Sequence, residues 1–288
     1  MKELGLIINL RKPEAVKMAQ KIMTWAKNHG CEILLPHQEA SALTTVGLDD
    51  EQWLKTVKLA LVIGGDGTFL RAARYIMGTE IILHGVNMGH LGFLASTKPN
   101  EIESDLEKIL SDDFEVIERR VLSSVLYHDE SPSHKIYALN DIVLTTNAIA
   151  RLVQIEIRFN EKFFCVLPAD GVIVSSATGS TAYALSAGGS IMPPQMDAII
   201  LAPLCAHTLY SRPLLASDKD TITLIPRGIS RDLMLTQDGQ VAYEIFPNDR
   251  IEIKLSGTKK IKTLNFPDKG FLDIVSEKLG WGKAFNSD

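Results

Sequence analysis

Cysteine is scarce in this sequence, and no Cys-x-x-Cys pair is present. The three cysteines, Cys31, Cys165 and Cys205, lie far apart in a chain of 288 residues. An odd number of widely separated cysteines argues against a disulfide framework or a zinc cluster as the source of stability. We therefore predict that all three are small apolar residues of the core.

Long apolar runs and a strong charge of one sign are also missing. No segment reaches the roughly 18 apolar residues of a transmembrane helix, and the apolar run at the start is too short for a signal peptide. The formal net charge of −5 creates no general attraction to nucleic acid. These absences predict a cytoplasmic protein that binds neither membrane nor nucleic acid, and its 45% of hydrophobic residues suffices for a core.

The first part of the chain alternates between two apolar patterns. Short continuous runs, such as Leu59 to Ile63, predict strands buried on both faces, and segments of helical period predict helices between them. The predicted strands are 4–10, 31–35, 59–63 and 80–86, and the predicted helices are 13–29, 69–77 and 99–110. This alternation predicts an α/β domain with a parallel sheet over residues 1–118.

The pattern changes from about Arg119. Short strand-like runs separated by turn-prone residues predict a β-rich, sandwich-like domain over residues 119–268. The predicted strands are 121–127, 135–144, 152–159, 163–167, 171–175, 197–201, 221–225, 232–236, 250–255 and 262–266, and only 181–188 is predicted as helical. The last segment, 269–288, is predicted to form a short strand and a helix that pack back on the first domain.

A glycine-rich loop, Gly64-Gly65-Asp66-Gly67-Thr68, joins the buried strand ending at Ile63 to the next helix. Glycines let backbone N–H groups approach a ligand closely, and a helix start presents its positive dipole end to an anion. The carboxyl ends of parallel strands are also where open α/β sheets bind ligands. The loop therefore predicts a phosphate-handling centre in which Asp66 accepts a proton from an attacking hydroxyl or lies near a cation. The alternative is an ordinary turn with Asp66 as the helix cap.

Two further observations concern the surroundings of this loop. Arg71, one turn into the following helix, is interpreted either as a phosphate contact or as a solvated surface arginine. No Gly-Lys-Ser/Thr sequence follows the loop, and the pattern Gly-x-Gly-x-x-Gly is not formed there. The loop is therefore neither a P-loop nor the signature of a dinucleotide-binding dehydrogenase.

Three more segments carry polar or glycine residues next to predicted strands. Leu139-Asn140-Asp141 sets an amide beside a carboxylate, which is typical either of contacts to an adenine edge or a ribose, or of a turn. Residues 170–189 hold four hydroxyl side chains between Ser176 and Thr181, which suits a phosphate or a ribose, or alternatively a Ser/Thr-capped helix. Residues 85–94 form a second glycine-rich loop, which predicts another ligand-edge turn.

Together these motifs resemble those of the NAD kinases, which convert NAD to NADP. The resemblance spans residues 4 to 275 and rests on motifs at 64–68, 85–94, 140–141, 170–171, 178–189, 203–214 and 238–240. It implies a phosphofructokinase-like first domain, a β-rich second domain and an active site between the two. It also implies a homo-oligomer, dimer or tetramer, in which a neighbouring subunit completes the NAD site.

The resemblance implies roles for single residues as well. Asp66 is similar to the family's catalytic base, which activates the 2′-hydroxyl of the adenosine ribose of NAD. The positions that are similar to substrate-binding residues are Gly67, Asn140, Asp141, Arg151, Asp170, Thr178, Thr181, Ala182, Tyr183, Ala184, Leu185, Ser186 and Gln240. The implied substrates are NAD and ATP, or polyphosphate as the donor, with a divalent cation, Mg²⁺, offsetting the phosphate charge.

Three positions depart from the family pattern. Asp141 stands where many members have Glu, and the shorter acid keeps the charge with less reach. Pro168 stands two residues before Asp170-Gly171, where an Arg is common, so a cationic phosphate contact is missing or is supplied elsewhere. Ala177 stands where many members have Pro.

Two other functions stay open on the sequence alone. A lipid kinase of the diacylglycerol or sphingosine type has a similar glycine-rich loop, but the chain lacks an amphipathic membrane-binding stretch and carries the motif at 178–183. A non-catalytic NAD(P)-binding sensor would keep the binding residues without turnover, and the departures at Pro168 and Ala177 are compatible with it.

Overall fold

A computed structural model describes residues 2–89, 91–146, 153–228, 232–267 and 269–281. The chain divides into two compact units, the first made of 1–118 and 261–288 and the second of 119–260. Residues 261–267 thus belong to the first unit, although the sequence assigned them to the β-rich domain. The reason is one long strand, Arg250–Asn265, whose last part pairs in the sheet of the first unit.

The elements are numbered in chain order. The strands are β1 (Lys2–Ile8), β2 (Cys31–Leu34), β3 (Leu59–Gly64), β4 (Ile82–Asn87), β5 (Glu115–His128), β6 (Ser131–Ala138), β7 (Asp141–Thr146), β8 (Val153–Phe159), β9 (Lys162–Ala169), β10 (Gly171–Ser176), β11 (Ala198–Leu204), β12 (Leu214–Ser217), β13 (Ile222–Arg227), β14 (Leu233–Gln237), β15 (Val241–Ile245) and β16 (Arg250–Asn265). The helices are α1 (Pro13–Asn28), α2 (His37–Ala42), α3 (Asp50–Thr56), α4 (Asp66–Tyr75), α5 (Ile102–Leu110), α6 (Tyr183–Ser186) and α7 (Phe271–Leu279). Across the described ranges, none of the helices is both long and apolar enough to cross a membrane.

A parallel sheet forms the centre of the first unit, in the order β2-β1-β3-β4 and then the last part of β16. Every residue of β3 is buried, as expected for a strand that is covered on both faces. Helix α1 begins at Pro13, which suits a first helical position, and the chain turns after it at Gly30 with a φ of +66°. Its buried residues recur every three or four positions, as in an amphipathic helix: Ala15, Ala19, Ile22 and Ala26.

The strand order creates a binding edge in this sheet. Strand β1 lies between β2 and β3, so the connections leaving the carboxyl ends of β1 and β3 run in opposite directions. The N–H group of Asn9 donates to the carbonyl of Ile63 at 2.9 Å and holds the two strand ends together. Such a reversal opens a crevice in which α/β sheets bind ligands. The loop Gly64–Thr68 leaves from this point.

Two sheets of mostly antiparallel strands form the second unit. One has the order β12-β11-β10-β7-β14-β15, and the other joins the first part of β16 to β13, β8 and β9, with β5 and β6 pairing beside β16. Apolar side chains from both sheets, such as Ile155 of β8 and Val172 of β10, belong to one core cluster. Two sheets that share a core in this way form a sandwich. The predicted fold class, an α/β domain followed by a β-rich domain, is confirmed.

The structure divides one predicted strand and merges two others. The run 135–144 is two strands, β6 and β7, because the backbone N–H groups of Leu139 to Asp141 bind the carboxylate of Asp238. The runs 250–255 and 262–266 are one strand, β16, which continues through an exposed polar stretch because its pairing uses only backbone groups.

One helical prediction is confirmed only in part. The predicted helix 181–188 is reduced to the single turn α6, which follows a 3₁₀ turn at Thr178–Thr181. The two turns do not join, because Ala182 between them has φ −100° and ψ −131°, outside the helical region. The short strand predicted before the C-terminal helix is not formed, because α7 begins at Phe271, directly after Gly270. The sequence also gave no signal for α2, α3, β12 and β15, which at four to seven residues are too short to display a period.

The cysteines differ in burial. Cys31 is buried as predicted and Cys165 is half-buried, whereas Cys205 is exposed in the loop after β11 with a φ of +48°. All three are free thiols. The prediction that all three belong to the core is therefore wrong for Cys205, because β11 ends before it and the following loop runs over the surface.

Candidate active site

Asp66 is the first residue of α4 and follows the end of β3. Its carboxylate accepts three backbone hydrogen bonds from one loop. Atom Oδ2 lies 3.0 Å from the nitrogen of Phe93, and Oδ1 lies 3.1 Å and 3.0 Å from those of Leu94 and Ala95. Gly65 occupies the cap position of α4, and no side chain caps the helix. The interpretation of Asp66 as a helix cap is therefore wrong, since its carboxylate serves another loop.

Two glycines allow close contacts around Asp66. A β-carbon at Gly92 would lie 2.0 Å from Oδ1 of Asp66, and one at Gly64 would lie 2.3 Å from Oγ1 of Thr68. The N–H group of Met88 also donates to the carbonyl of Gly64 at 2.6 Å. The two glycine-rich loops that the sequence predicted separately therefore lie together in the first unit, and Asp66 joins them.

Arg71 lies further along α4 and contacts protein groups. Its Nη2 atom donates to the carbonyl of Ile8 at 2.9 Å and lies 3.4 Å from Oε1 of Glu39, a carboxylate that is only 3% exposed. Arg71 also lines a cavity of about 720 Å³ together with Arg74 and Tyr75. Arg71 therefore forms an ion pair with the buried Glu39, and its guanidinium also borders the cavity.

Asp238 organises a second centre, in the second unit. Its carboxylate accepts hydrogen bonds from the N–H groups of Leu139, Asn140 and Asp141 at 3.1, 2.7 and 3.2 Å. Asp238 and Gly239 have φ values of +50° and +61°, which are typical of the type I′ turn that joins two strands such as β14 and β15. An Asp-Gly pair is typical of such a hairpin, but nothing in the sequence signals that this aspartate reaches across to the Asn140 segment.

Two buried polar atoms next to this centre lack partners. Oδ1 of Asn140 and Oγ1 of Thr178 have no hydrogen-bond partner among the described residues. Their residues are neighbours, because the carbonyl of Asn140 accepts the N–H group of Ser176 at 2.9 Å, and a β-carbon at Gly179 would lie 2.2 Å from that carbonyl oxygen. An unsatisfied buried polar group costs about 1–3 kcal/mol. A polar ligand that bonded to both atoms would remove this cost.

Asp141 lies in the same buried place as Asp238. Burial, and secondly the negative charge of Asp238, raise the pKa of Asp141 to about 7. Two neighbouring carboxylates repel each other when both are ionised, so one of them holds a proton. The carboxylate that accepts more hydrogen bonds is the one that stays ionised. Because Asp238 accepts three N–H groups, we assign the negative charge to Asp238 and the proton to Asp141. Near neutral pH, Asp141 therefore has a proton to donate to a ligand oxygen.

Residues 178–186 follow β10 at the same end of the second unit. The hydroxyl of Thr181 donates to the carbonyl of Thr178 at 3.3 Å. Ala184 is fully buried in an apolar cluster, so its side chain is not available to a ligand. The other residues of the predicted set offer more surface, and these are the half-buried Thr181, Ala182 and Leu185 and the exposed Tyr183 and Ser186.

Asp170 is separated from this group. It is exposed and precedes β10, whereas Asn140 and Thr178 lie at the other end of that six-residue strand. At a rise of about 3.3 Å per residue, the two ends are roughly 20 Å apart. Gln240 is exposed in the turn that Asp238 begins, and Arg151 lies outside the described residues. Within the described part of the second unit, Asp170 therefore lies apart from the predicted site residues around Asn140 and Thr178.

Comparison with known proteins decides the family. Residues 4–114 match the model of the ATP-NAD kinase N-terminal domain, and residues 139–266 match that of the ATP-NAD kinase C-terminal domain. The NAD kinase of Syntrophotalea carbinolica is 33% identical over 287 residues, which cover 98% of this chain and 100% of that protein. The chain belongs to the NAD kinase family. The resemblance inferred from the motifs is thereby confirmed.

Two solved structures share the fold of this NAD kinase family member. Yeast NADH kinase complexed with NADH has a TM-score of 0.90 and 22% identity, and the match covers 100% of this chain and 90% of that one. An NAD kinase from Archaeoglobus fulgidus in complex with ATP has a TM-score of 0.77 and 22% identity, with 98% and 100% covered. At this identity the likeness establishes the fold.

The structure shows the contacts of two residues that depart from the family pattern, Pro168 and Ala177. Pro168 is half-buried in β9, and its carbonyl accepts the N–H group of His207 at 2.9 Å. Ala177 is 4% exposed and packs in the apolar cluster that also holds Ala184. Proline keeps its carbonyl but has no N–H group, so the pairing at Pro168 uses the one polar group that the residue retains.

Within the ranges that the structure describes, no three His, Cys, Asp or Glu side chains come together as a metal-binding group. Mg²⁺ keeps several waters and is commonly held by substrate phosphates with one or two carboxylates rather than by a protein cage.

Proposed function

We propose that this chain is an active NAD kinase that transfers the terminal phosphoryl group of ATP to the 2′-hydroxyl of the adenosine ribose of NAD. The observation that carries the proposal is the pair of buried, unpaired oxygens of Asn140 and Thr178. Buried polar atoms are normally hydrogen-bonded, so two of them beside a hydroxyl-rich loop indicate a site prepared for a polar ligand. Membership of the NAD kinase family supports NAD as that ligand.

In this proposal Asp66 is the general base. An ionised carboxylate offers about four lone-pair positions, and the N–H groups of Phe93, Leu94 and Ala95 occupy three. The three donors keep the side chain in one orientation, and one position remains for the substrate hydroxyl. A fixed base that needs no rearrangement lowers the barrier to proton transfer.

In the proposed reaction, each bond that forms is matched by one that breaks. The 2′-oxygen of the ribose forms a bond to the terminal phosphorus of the donor, and its proton passes to the carboxylate of Asp66. The bond from that phosphorus to the bridging oxygen breaks, and the electron pair leaves with ADP. In this mechanism the loop at Gly64–Thr68 and the positive dipole end of α4 stabilise the developing phosphate charge. Mg²⁺ offsets charge on the donor when ATP is bound.

We also propose that the protein is a homo-oligomer in which Asp170 serves the NAD site of a neighbouring subunit. The roughly 20 Å between Asp170 and the Asn140 group supports this, since one NAD molecule contacting both in one chain would need to follow the whole of β10. Strands β9 and β12 each pair with a single strand in the described part of the second unit. Both edges carry exposed apolar side chains: Phe163, Phe164, Val166, Leu214 and Leu215.

Exposed apolar edges of this kind are typical of interfaces, because open strands and contiguous apolar patches otherwise promote aggregation. The outward residues of β9 alternate through Phe164, Val166 and Pro168, and the exposed Asp170 comes directly after the strand ends at Ala169. A second copy seated on this face would therefore lie close to Asp170. We further propose a cytoplasmic location, as the sequence predicts.

The deciding experiment measures NADP formation from NAD by the purified chain. We expect turnover with ATP and Mg²⁺, and loss of turnover when the cation is chelated. Parallel reactions with polyphosphate, with NADH and with diacylglycerol test the donor, the acceptor and the lipid kinase alternative. Binding of NAD without formation of NADP under all donors would instead identify a non-catalytic sensor and overturn the proposal.

A further inference from the structure

The C-terminal segment Lys269–Leu279 contacts the loop that holds Asp66, all within the first unit. The loop comprises Gly92 to Ala95, whose amides bind the Asp66 carboxylate. The ammonium group of Lys278 in α7 lies 4.5 Å from the ring centroid of Phe93. A cation over an aromatic face attracts the ring electrostatically. One residue of the C-terminal helix therefore touches the backbone segment whose N–H groups orient Asp66.

A second contact holds the same helix near the end of the loop. Glu277, the residue before Lys278, accepts a hydrogen bond from Lys98 at 2.7 Å. The backbone N–H group of Lys98 in turn donates to Glu101 at 3.3 Å. Both ends of the segment from Phe93 to Lys98 are thus joined to consecutive residues of α7.

A third contact involves a buried carboxylate. Lys269 lies 2.7 Å from a carboxylate oxygen of Glu101 and 3.3 Å from one of Asp105, whose side chain is 2% exposed. The hydroxyl of Thr97 donates to Asp105 at 2.6 Å and also lies 2.7 Å from Nε2 of His84. Lys269 supplies the positive charge that this buried carboxylate requires, and a buried charge without its partner is strongly destabilising.

The protonation of His84 determines the direction of this chain of hydrogen bonds. Burial, and secondly the charge of Lys269, lower the pKa of His84 to about 3, so its ring is neutral. The Thr97 hydroxyl has one hydrogen, which it donates to Asp105, and it therefore accepts from Nε2–H of His84. Each polar group in the chain has a single arrangement, which fixes the position of Thr97.

The backbone of Thr97 attaches the end of the loop to β4. Its N–H group donates to the carbonyl of Gly85 at 3.2 Å, and its carbonyl accepts from Asn87 at 2.8 Å. These bonds attach the end of the loop to β4, two residues beyond Ala95. The buried chain from Lys269 therefore anchors the loop at one end, and Lys278 contacts it at Phe93.

We propose that the C-terminal segment Lys269–Leu279 positions Asp66 through the Gly92–Ala95 loop, with Lys278 and Lys269 as positioning residues. The inference rests on the proposed role of Asp66 as the base. Helix α7 has one buried residue, Val275, so its place depends on the polar contacts rather than on a large apolar face. An element with so little burial opens more readily than the core. Its docking therefore controls how well the three amides hold the carboxylate.

Two measurements on Lys278→Ala test the proposal. Loss of a cation–π contact of this type corresponds to about a two- to five-fold change in an equilibrium or rate constant. We expect kcat for NADP formation to fall by about that factor, with the KM for NAD unchanged, because the chemistry and not NAD binding depends on Asp66. We also expect amide hydrogen exchange at residues 93–95 to become faster by a similar factor.

Two further variants separate positioning from general stability. Lys278→Arg keeps a cation over the Phe93 ring and should restore both kcat and the exchange rates. Leu272→Ala changes an exposed residue of the same helix and should alter neither. Unchanged kcat and unchanged exchange in Lys278→Ala would overturn the proposal, as would equal losses in Leu272→Ala. If the wild-type chain forms no NADP, the proposed function fails, and the exchange measurement alone still decides whether α7 holds the loop.

Discussion

Gly92 and Asp66 are in a contact that no larger residue at position 92 would allow. A β-carbon on Gly92 would lie 2.0 Å from Oδ1 of Asp66 and 2.7 Å from its carboxyl carbon. Side chains do not approach that closely, so either the loop or the carboxylate would have to move. The absence of a side chain at position 92 is thus a condition for the three hydrogen bonds that hold the proposed base.

Replacing Gly92 with alanine should separate the loop from Asp66. We expect kcat to fall at least about ten-fold, as misplacement of a catalytic group by about 1 Å commonly does, and the free energy of unfolding to fall by about 1–3 kcal/mol because of overpacking. Gly257→Ala is the matched control, since a β-carbon there meets nothing within 4 Å. Steady-state kinetics and urea unfolding of both variants provide the measurement, and equal behaviour would show that the contact is unimportant.

Replacing Asp66 with asparagine should remove the base. We expect turnover to fall by about 10²–10⁴-fold, in line with general-base contributions, while NAD affinity measured by calorimetry stays near that of the wild type. The amide also sets an N–H group against one of the backbone donors, so the loop should exchange its amide protons faster. Near-normal turnover in this variant would be incompatible with Asp66 as the base.

Thr178→Val should separate binding from stability. The variant removes a buried hydroxyl that has no partner, so we expect the free energy of unfolding to stay level or rise by about 1 kcal/mol. NAD should bind about 3- to 12-fold more weakly, the equivalent of one hydrogen bond. Thr223→Val is the control, because the hydroxyl of Thr223 is also buried and unpaired but has no predicted role in binding. Weaker NAD binding in both variants would contradict the assignment of Thr178.

Asp141→Asn should change how stability depends on pH. The folded protein holds a proton on Asp141 up to about pH 7, whereas the unfolded chain loses it near a pKa of about 3.9. The folded state therefore binds more protons between about pH 4 and pH 7, and Asp141 lowers the free energy of unfolding as pH rises through that window.

The asparagine variant lacks this titration, so its stability relative to the wild type should increase from pH 4 to pH 7. We expect a relative gain of roughly 3–4 kcal/mol across the full window. Urea unfolding at pH 4.5 and at pH 8, with the exposed Asp113→Asn as control, measures it. A difference that is constant with pH would show that Asp141 does not carry the raised pKa.

Arg71→Met separates the observed ion pair with Glu39 from the phosphate contact that the sequence leaves open. The variant leaves the carboxylate of Glu39 buried without its cation and removes the bond to the Ile8 carbonyl. Because Arg71 is partly exposed, we expect a loss of about 2 kcal/mol in unfolding free energy rather than the full cost of a broken buried pair. The KM for ATP, measured in parallel, reports phosphate contact. A higher KM with unchanged stability would mean that the ion pair is unimportant and that the phosphate interpretation is correct.

Much of the fold was predictable because its signals are local. The continuous apolar run at 59–63 and the helical period at 13–29 report burial directly, so the alternation that defines the first unit is visible in the sequence. Glycine and aspartate in the 64–68 loop likewise have conformational and chemical properties of their own. The family could be inferred from such motifs because each lies within a few consecutive residues.

The site contacts could not be predicted, because they join residues that are distant in the chain. Asp238 binds the backbone of Asn140 across a separation of 98 residues, and this depends on the pairing of β14 with β7. The separation of Asp170 from the Asn140 group follows from the length of β10, which only the strand pairing reveals.

The sequence by itself therefore determined the βα alternation, the β-rich second part and the loop at 64–68, since periodicity and turn chemistry act over short distances. Only the tertiary structure decided that the Asp66 carboxylate faces the amides of Phe93 to Ala95, and that Lys278 lies over the ring of Phe93. The physical reason is that a side chain's partners depend on which strand ends and loops the fold brings together, and that depends on pairing between elements rather than on the residues beside it.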